Sequence, residues 1–118
     1  MTVETSIFAA LQSLVGGRVF PDVAPMDTAR PYITYQQVGG EETVFLDNTL
    51  PSKQQGNFQI NLWAATRTAV AALALQVDSA LRTSTAFQAY ALNAPIAHYD
   101  PDMLVYGSIQ DFSIWSDR

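Results

Sequence analysis

A chain of 118 residues is the size of one ordinary domain and can bury a core without crosslinks, so a single unit over 1–118 is expected, and the absence of cysteine excludes disulfides and thiolate metal sites. The formal charge is −5, and the six cations, Arg18, Arg30, Lys53, Arg67, Arg82 and Arg118, are scattered, which excludes the gathered basic patch that sequence-specific nucleic-acid binding needs. Hydrophobic residues make up 48% of the chain and charged ones only 14%, against ~25% in average domains, so part of the surface is expected to be neutral or apolar and to serve as a subunit interface.

No basic run followed by an apolar one opens the sequence. The longest apolar run, Ala69 to Leu75, is far short of the ~20 residues of a membrane span, so a soluble chain made in the cytoplasm is expected.

In chain order, Ile7, Ala10, Leu11 and Leu14 recur at helical spacing over Val3 to Val15. Thr2 or Thr5 is available as N-cap, and Gly16-Gly17 stands where a left-handed stop belongs. Arg18-Val19-Phe20-Pro21 reads as a brief extended segment. The stretch from Asp22 to Pro31 holds three prolines and reads as an irregular connection. Tyr32 to Val38, rich in aromatic and β-branched residues, predicts a strand ending at Gly39-Gly40.

From Glu41 to Gly56 the pattern is lost. One reading is a short edge strand over Thr43 to Leu46; the other is an irregular arm, a candidate for mobility, that orders against another subunit. Its candidate contact residues are Glu41, Glu42, Val44, Phe45, Leu46 and Asp47.

Asn57 to Leu81 is the clearest unit. Phe58, Ile60, Leu62 and Ala64 alternate with polar residues and Trp63, the period of a half-buried strand. Val70, Leu73, Ala74, Val77, Ala80 and Leu81 then form a helical stripe. Trp63 projects to the face opposite Phe58 and is either covered or an interface anchor. Ala86 to Leu92 predicts a short turn and then a strand, Ile96 to Tyr99 a strand segment, and Asp100-Pro101-Asp102 a turn. Met103 to Trp115 is long enough for a full strand, but its apolar phase slips, so a bulge is expected at Gly107 or Gln110-Asp111. The sum is an α/β (α+β) two-layer sandwich: a mixed or antiparallel sheet of about four strands with two main helices packed on it.

Catalytic signals are weak. His98, the only histidine, stands with Asp100 and Asp102 at spacings that a metal site or small enzyme would use, yet turn chemistry around Pro101 explains both aspartates. No Gly-x-Ser-x-Gly accompanies His98, and Gly107-Ser108 alone does not make a nucleophile motif. Glu41-Glu42 point to opposite sides of any strand and read as solvated. Neither Gly16-Gly17 nor Gly39-Gly40 lies between a strand and a phosphate-binding helix. The expectation is a non-enzyme without metal or cofactor; the alternative is a small soluble enzyme or ligand- or metal-binding domain using His98, Asp100 and Asp102.

The order of Pro31-Tyr32-Ile33, the Leu62-Trp63-Ala64-x-Thr66-Arg67 junction and Asp111-Phe112-Ser113-Ile114-Trp115 carries a resemblance that covers nearly the whole chain. The sequence resembles the tail-completion, or tail-terminator, proteins of long-tailed bacteriophages and prophages. That resemblance implies a ring homo-oligomer, typically a hexamer, that caps the head-proximal end of the tail tube and ends its polymerisation. It implies the tail tube protein and the head-tail connector or neck proteins as partners, assembly in the bacterial cytoplasm and a place in the virion tail. The acidic balance would suit a channel along which DNA slides without sticking. Membrane and sequence-specific nucleic-acid partners are not expected.

Overall fold

The computed structural model describes residues 2–42 and 46–118. Helix α1 (Val3–Leu11) starts where the Thr2 hydroxyl accepts a hydrogen bond from the Thr5 amide. Gln12–Leu14 tighten into a 3₁₀ turn, and Gly16 and Gly17, at φ of 59° and 83°, reverse the chain through backbone angles that side chains resist. Ile7, Leu11 and Val15 lie on the buried side.

Among the described residues six strands follow: β1 (Val19–Pro21), β2 (Tyr32–Gly39), β3 (Lys53–Ala64), β4 (Gln88–Ala91), β5 (Ile96–Asp100) and β6 (Val105–Asp117), with helix α2 (Arg67–Thr83) between β3 and β4. They form one mixed sheet in the order β1-β2-β3-β6-β4, with β5 also paired to β6. Only β1 and β2 run parallel. The expected count of about four becomes six because the brief extended segment at Val19–Pro21 and both short segments after α2 each pair with a longer neighbour as separate strands.

Strands β3 and β6 form the spine, in unbroken register from Lys53 opposite Asp117 to Ala64 opposite Tyr106. The bulge expected in the last strand is therefore absent. The register shift lies instead in β2, between Gln37 and Gly39. The apolar phase of β6 slips for another reason: its helix-facing row is Ser108, Gln110, Phe112, Ile114 and Ser116, so polar residues are buried in line with apolar ones. Gln110 is satisfied by donating from Nε2 to the Asn93 carbonyl at 2.9 Å. β3 also begins earlier than expected, at Lys53, which takes residues 53–56 out of the irregular stretch. Of the edge strand considered over Thr43 to Leu46, residues 43–45 lie outside the described residues, while Leu46 and Asp47 form a turn.

Both helices pack on one face of the sheet. α2 is capped by the Thr66 hydroxyl, which accepts from the Ala69 amide at 3.1 Å, and buries Val70, Leu73, Ala74, Val77 and Leu81. These meet Phe58, Ile60, Leu62, Phe112 and Ile114 from the spine, together with Ile33 and Tyr35 from β2. Each fully buried side chain of this size stabilises the fold by roughly 1.5–3 kcal/mol. The other face carries Gln36, Gln55, Asn57, Gln59, Asn61 and Ser113, with Gln55 donating from Nε2 to Asn57 Oδ1 (2.7 Å) and Ser113 Oγ (3.0 Å).

Candidate interaction surfaces

The connection between β2 and β3 leaves the sheet at Gly39-Gly40. Gly40 has φ +148°, and a Cβ on it would stand 2.7 Å from the Gln55 carbonyl oxygen, so the exit admits only glycine without a shift. The base of this arm is tied to the C-terminus. The Arg118 amide donates to the Ser52 carbonyl (2.9 Å), its Nε donates to the Pro51 carbonyl (2.9 Å), and its guanidinium stands 3.7 Å from the Glu42 carboxylate. Lys53 pairs with Asp117 across the first rung of the spine, and the Glu41 amide donates to Gln55 Oε1 at 2.7 Å.

Beyond that base the described residues 46–50 are exposed. Leu46 is fully exposed and Leu50 is 73% exposed. Asp47, between them, folds a local turn by accepting from the Thr49 amide (3.1 Å) and hydroxyl (2.8 Å). Those two bonds hold its carboxyl below the usual aspartate range. Glu41 and Glu42 are exposed at the root; Val44 and Phe45, the remaining candidates on the arm, lie outside the described residues.

Trp63 does not join them. It stands near the other end of β3, about 30 Å from Lys53 at ~3.3 Å per residue. There it is half-buried on the face away from the helices, in a cross-strand row of Tyr32, Trp63, Gly107 and His98. Its ring centroid is 6.1 Å from that of Tyr32 in a stacked arrangement and 4.9 Å from that of His98 edge-on. Burial holds the Tyr32 hydroxyl above its ordinary range, with Arg30 opposing and Asp100 adding to the effect.

The segment considered for metal or catalysis is divided between two structural tasks. The His98 imidazole fills the space left by the missing side chain of Gly107. Asp100 Oδ1 accepts from the amides of Asp102 (3.0 Å) and Met103 (3.3 Å), closing the turn between β5 and β6. Asp102 is exposed in that turn, and among the described residues no three His, Asp or Glu side chains are grouped to hold a metal.

A feature that sequence reasoning missed is the sheet edge formed by β5. Leu75, Leu92, Ile96, Tyr99, Met103 and Leu104 are all exposed on or around β5. Their periodicity gave no signal, because β5 is an edge strand exposed on both faces. Arg67 reaches this region, donating to the carbonyls of His98 (3.1 Å) and Gly107 (3.2 Å) while its guanidinium lies 5.1 Å from the centre of the Tyr106 ring.

A small α+β domain with exposed apolar residues on an arm, along one sheet edge and at Val23 and Met26 in the β1–β2 connection has the build of a component that works through its surfaces. Residues 8–117 match the family described as tail completion protein gp17, and the chain belongs to that family: it is a structural tail protein of bacteriophage type. The fold is also that of a chain in the solved structure titled "Virion of native gene transfer agent (GTA) particle", with a TM-score of 0.66 at 18% identity, over 98% of this chain and 95% of that one. No curated protein matches the sequence.

Proposed function

We propose that the protein caps the head-proximal end of the tail tube as a ring of identical subunits, a hexamer on the family pattern, stops tube polymerisation and forms the surface to which the head joins. The observation that carries this reading is the arm. Leu46 and Leu50 stand in solvent on a segment whose root is held by Arg118 and Gly40, a costly exposure unless another chain covers them. The partners are further copies of the chain, the tail tube protein and the head-tail connector or neck proteins. Assembly takes place in the bacterial cytoplasm, and the product stays at the head-proximal end of the virion tail. Glu41, Glu42, Val44, Phe45, Leu46 and Asp47 supply contacts at one end of the sheet, and Trp63 is the contact to test at the other.

Deleting the gene from its phage or prophage and imaging the lysate tests the role. Overlong or headless tails are expected; tails of normal length joined to heads would refute it. Complementation with Leu46→Ser plus Leu50→Ser separates surface from fold: the variant stays folded but fails to restore joined particles. Trp63→Ala is measured in the same capping assay.

A further inference from the structure

We infer that the arm of one copy docks in an apolar groove beside α2 of the next copy, with Leu46 and Leu50 as the inserted side chains. This rests on the ring reading above and names its contact. α2 packs over β3, β4 and β6 and leaves the helix-side face of β5 uncovered. The gap is a groove of about 440 Å³, with Ala71 and Leu75 on the helix wall, Pro95 and Ala97 on the strand wall, and Ser108 and Gln110 beneath. Leu75 is 75% exposed although it sits beside buried Ala74 on the same helix.

The charges at the two surfaces are complementary. Arg67 lines one end of the groove; like Arg18 and Arg30, it donates to carbonyls and meets no carboxylate among the described residues, and of these three it is the one that lines the groove. Asp78, the groove's own acid, is taken by Arg82. The arm brings the opposite sign, with Asp47 between the two exposed leucines and Glu41 and Glu42 at its root. A leucine-acid-leucine segment matches an apolar trough with an exposed arginine, unpaired with any acid among the described residues, at its end.

The contact is between copies. The arm ends at Lys53, whereas Ser108 beneath the groove pairs with Leu62, nine residues along β3. At ~3.3 Å per residue that is about 30 Å, the root of the arm is fixed at the far end by Arg118, and within one copy Leu46 and Leu50 stand exposed and line no part of the groove. A patch that meets a different patch on the next copy is a heterologous contact, which closes into a ring when its rotation permits.

The chain has no cysteine, so a disulfide in the double variant Leu46→Cys, Ala71→Cys reports this contact alone. Oxidised at concentrations where the wild-type chain is multimeric by native mass spectrometry, the double variant gives a ladder of covalently linked multimers that reductant collapses; each single variant gives none beyond a dimer. Multimers without a ladder, including a bridge closed within one chain, would overturn the docking and leave the ring standing. A chain that is monomeric at every concentration and on added tail tubes would overturn both. Ala71→Arg, at an exposed helix position, is the control for folding: melting is unchanged and the multimer is lost.

Discussion

His98 occupies the space that a side chain at Gly107 would fill: a Cβ on Gly107 would lie 2.5 Å from both Cε1 and Nε2 of the imidazole. The two residues are directly paired across β5 and β6, and the ring placed there meets Trp63 edge-on. Glycine inside a strand ordinarily weakens it by roughly 0.5–1 kcal/mol relative to alanine. Here the sign reverses, and Gly107→Ala is expected to destabilise by about 1–3 kcal/mol through overpacking. In a His98→Ala background the same substitution becomes neutral or stabilising. Thermal melting of the four-member cycle checks this, and a Gly107→Ala penalty that survives removal of His98 would refute the steric account.

Phe58 and Phe112 face each other across the spine, both essentially without exposure. Truncating either to alanine is expected to cost about 3–5 kcal/mol, a large part of the ~5–15 kcal/mol that holds a domain folded. Because the rings share one site, the double variant should fall short of additivity by ~0.5–3 kcal/mol. Denaturant unfolding of the single and double variants measures that shortfall; strict additivity would mean that each ring packs independently.

The parts of the fold legible in sequence are those where one face is wholly apolar. Phe58, Ile60, Leu62 and Ala64 announce β3, and the stripe from Val70 to Leu81 announces α2, because each element buries one side against the other. β6 hides its phase, since Ser108, Gln110 and Ser116 are buried on the same side as Phe112 and Ile114. Periodicity records hydrophobicity, and a buried glutamine satisfied by Asn93 leaves no such trace. Strand register is equally silent in a single chain. The face of Trp63 was readable from alternation, but not that β2 and β5 would bring Tyr32 and His98 to either side of it. The loss of rhythm after Glu41 falls on residues 41–42 and 46–52, which have no helix or strand, but it ran on over residues 53–56, which belong to β3. The groove was not legible, because it exists only where α2 stops short of β5.

Thr66 caps the helix that covers the core, so its loss reaches the whole domain. Thr66→Ala removes the acceptor of the Ala69 amide and is expected to cost about 1 kcal/mol, lowering the melting temperature by roughly 4 °C. Thr66→Ser keeps the hydroxyl and should restore most of it. Thr2→Ala makes the same chemical change on α1, which is shorter than α2, and calorimetry should show the smaller shift. Equal shifts would mean that the start of α1 unfolds together with the core.

Asp47 gives the arm a pH dependence whose sign follows from its two bonds to Thr49. The folded carboxyl titrates below its ordinary range, so its contribution is complete above the unfolded aspartate value of about 3.9 and is lost as pH falls through the lowered folded value. The effect is local: the residue is fully exposed, so global melting should not follow it. Carboxyl-carbon NMR is expected to place the Asp47 midpoint below ~3.9 in the wild-type chain. Thr49→Val removes the hydroxyl donor, leaves the amide, and should move the midpoint part of the way back. A wild-type midpoint at or above the unfolded value would mean that the turn between Leu46 and Leu50 is not held in solution. The two leucines would then have no fixed spacing with which to enter a neighbour's groove, and acidification through this range would leave the multimer unchanged instead of weakening it.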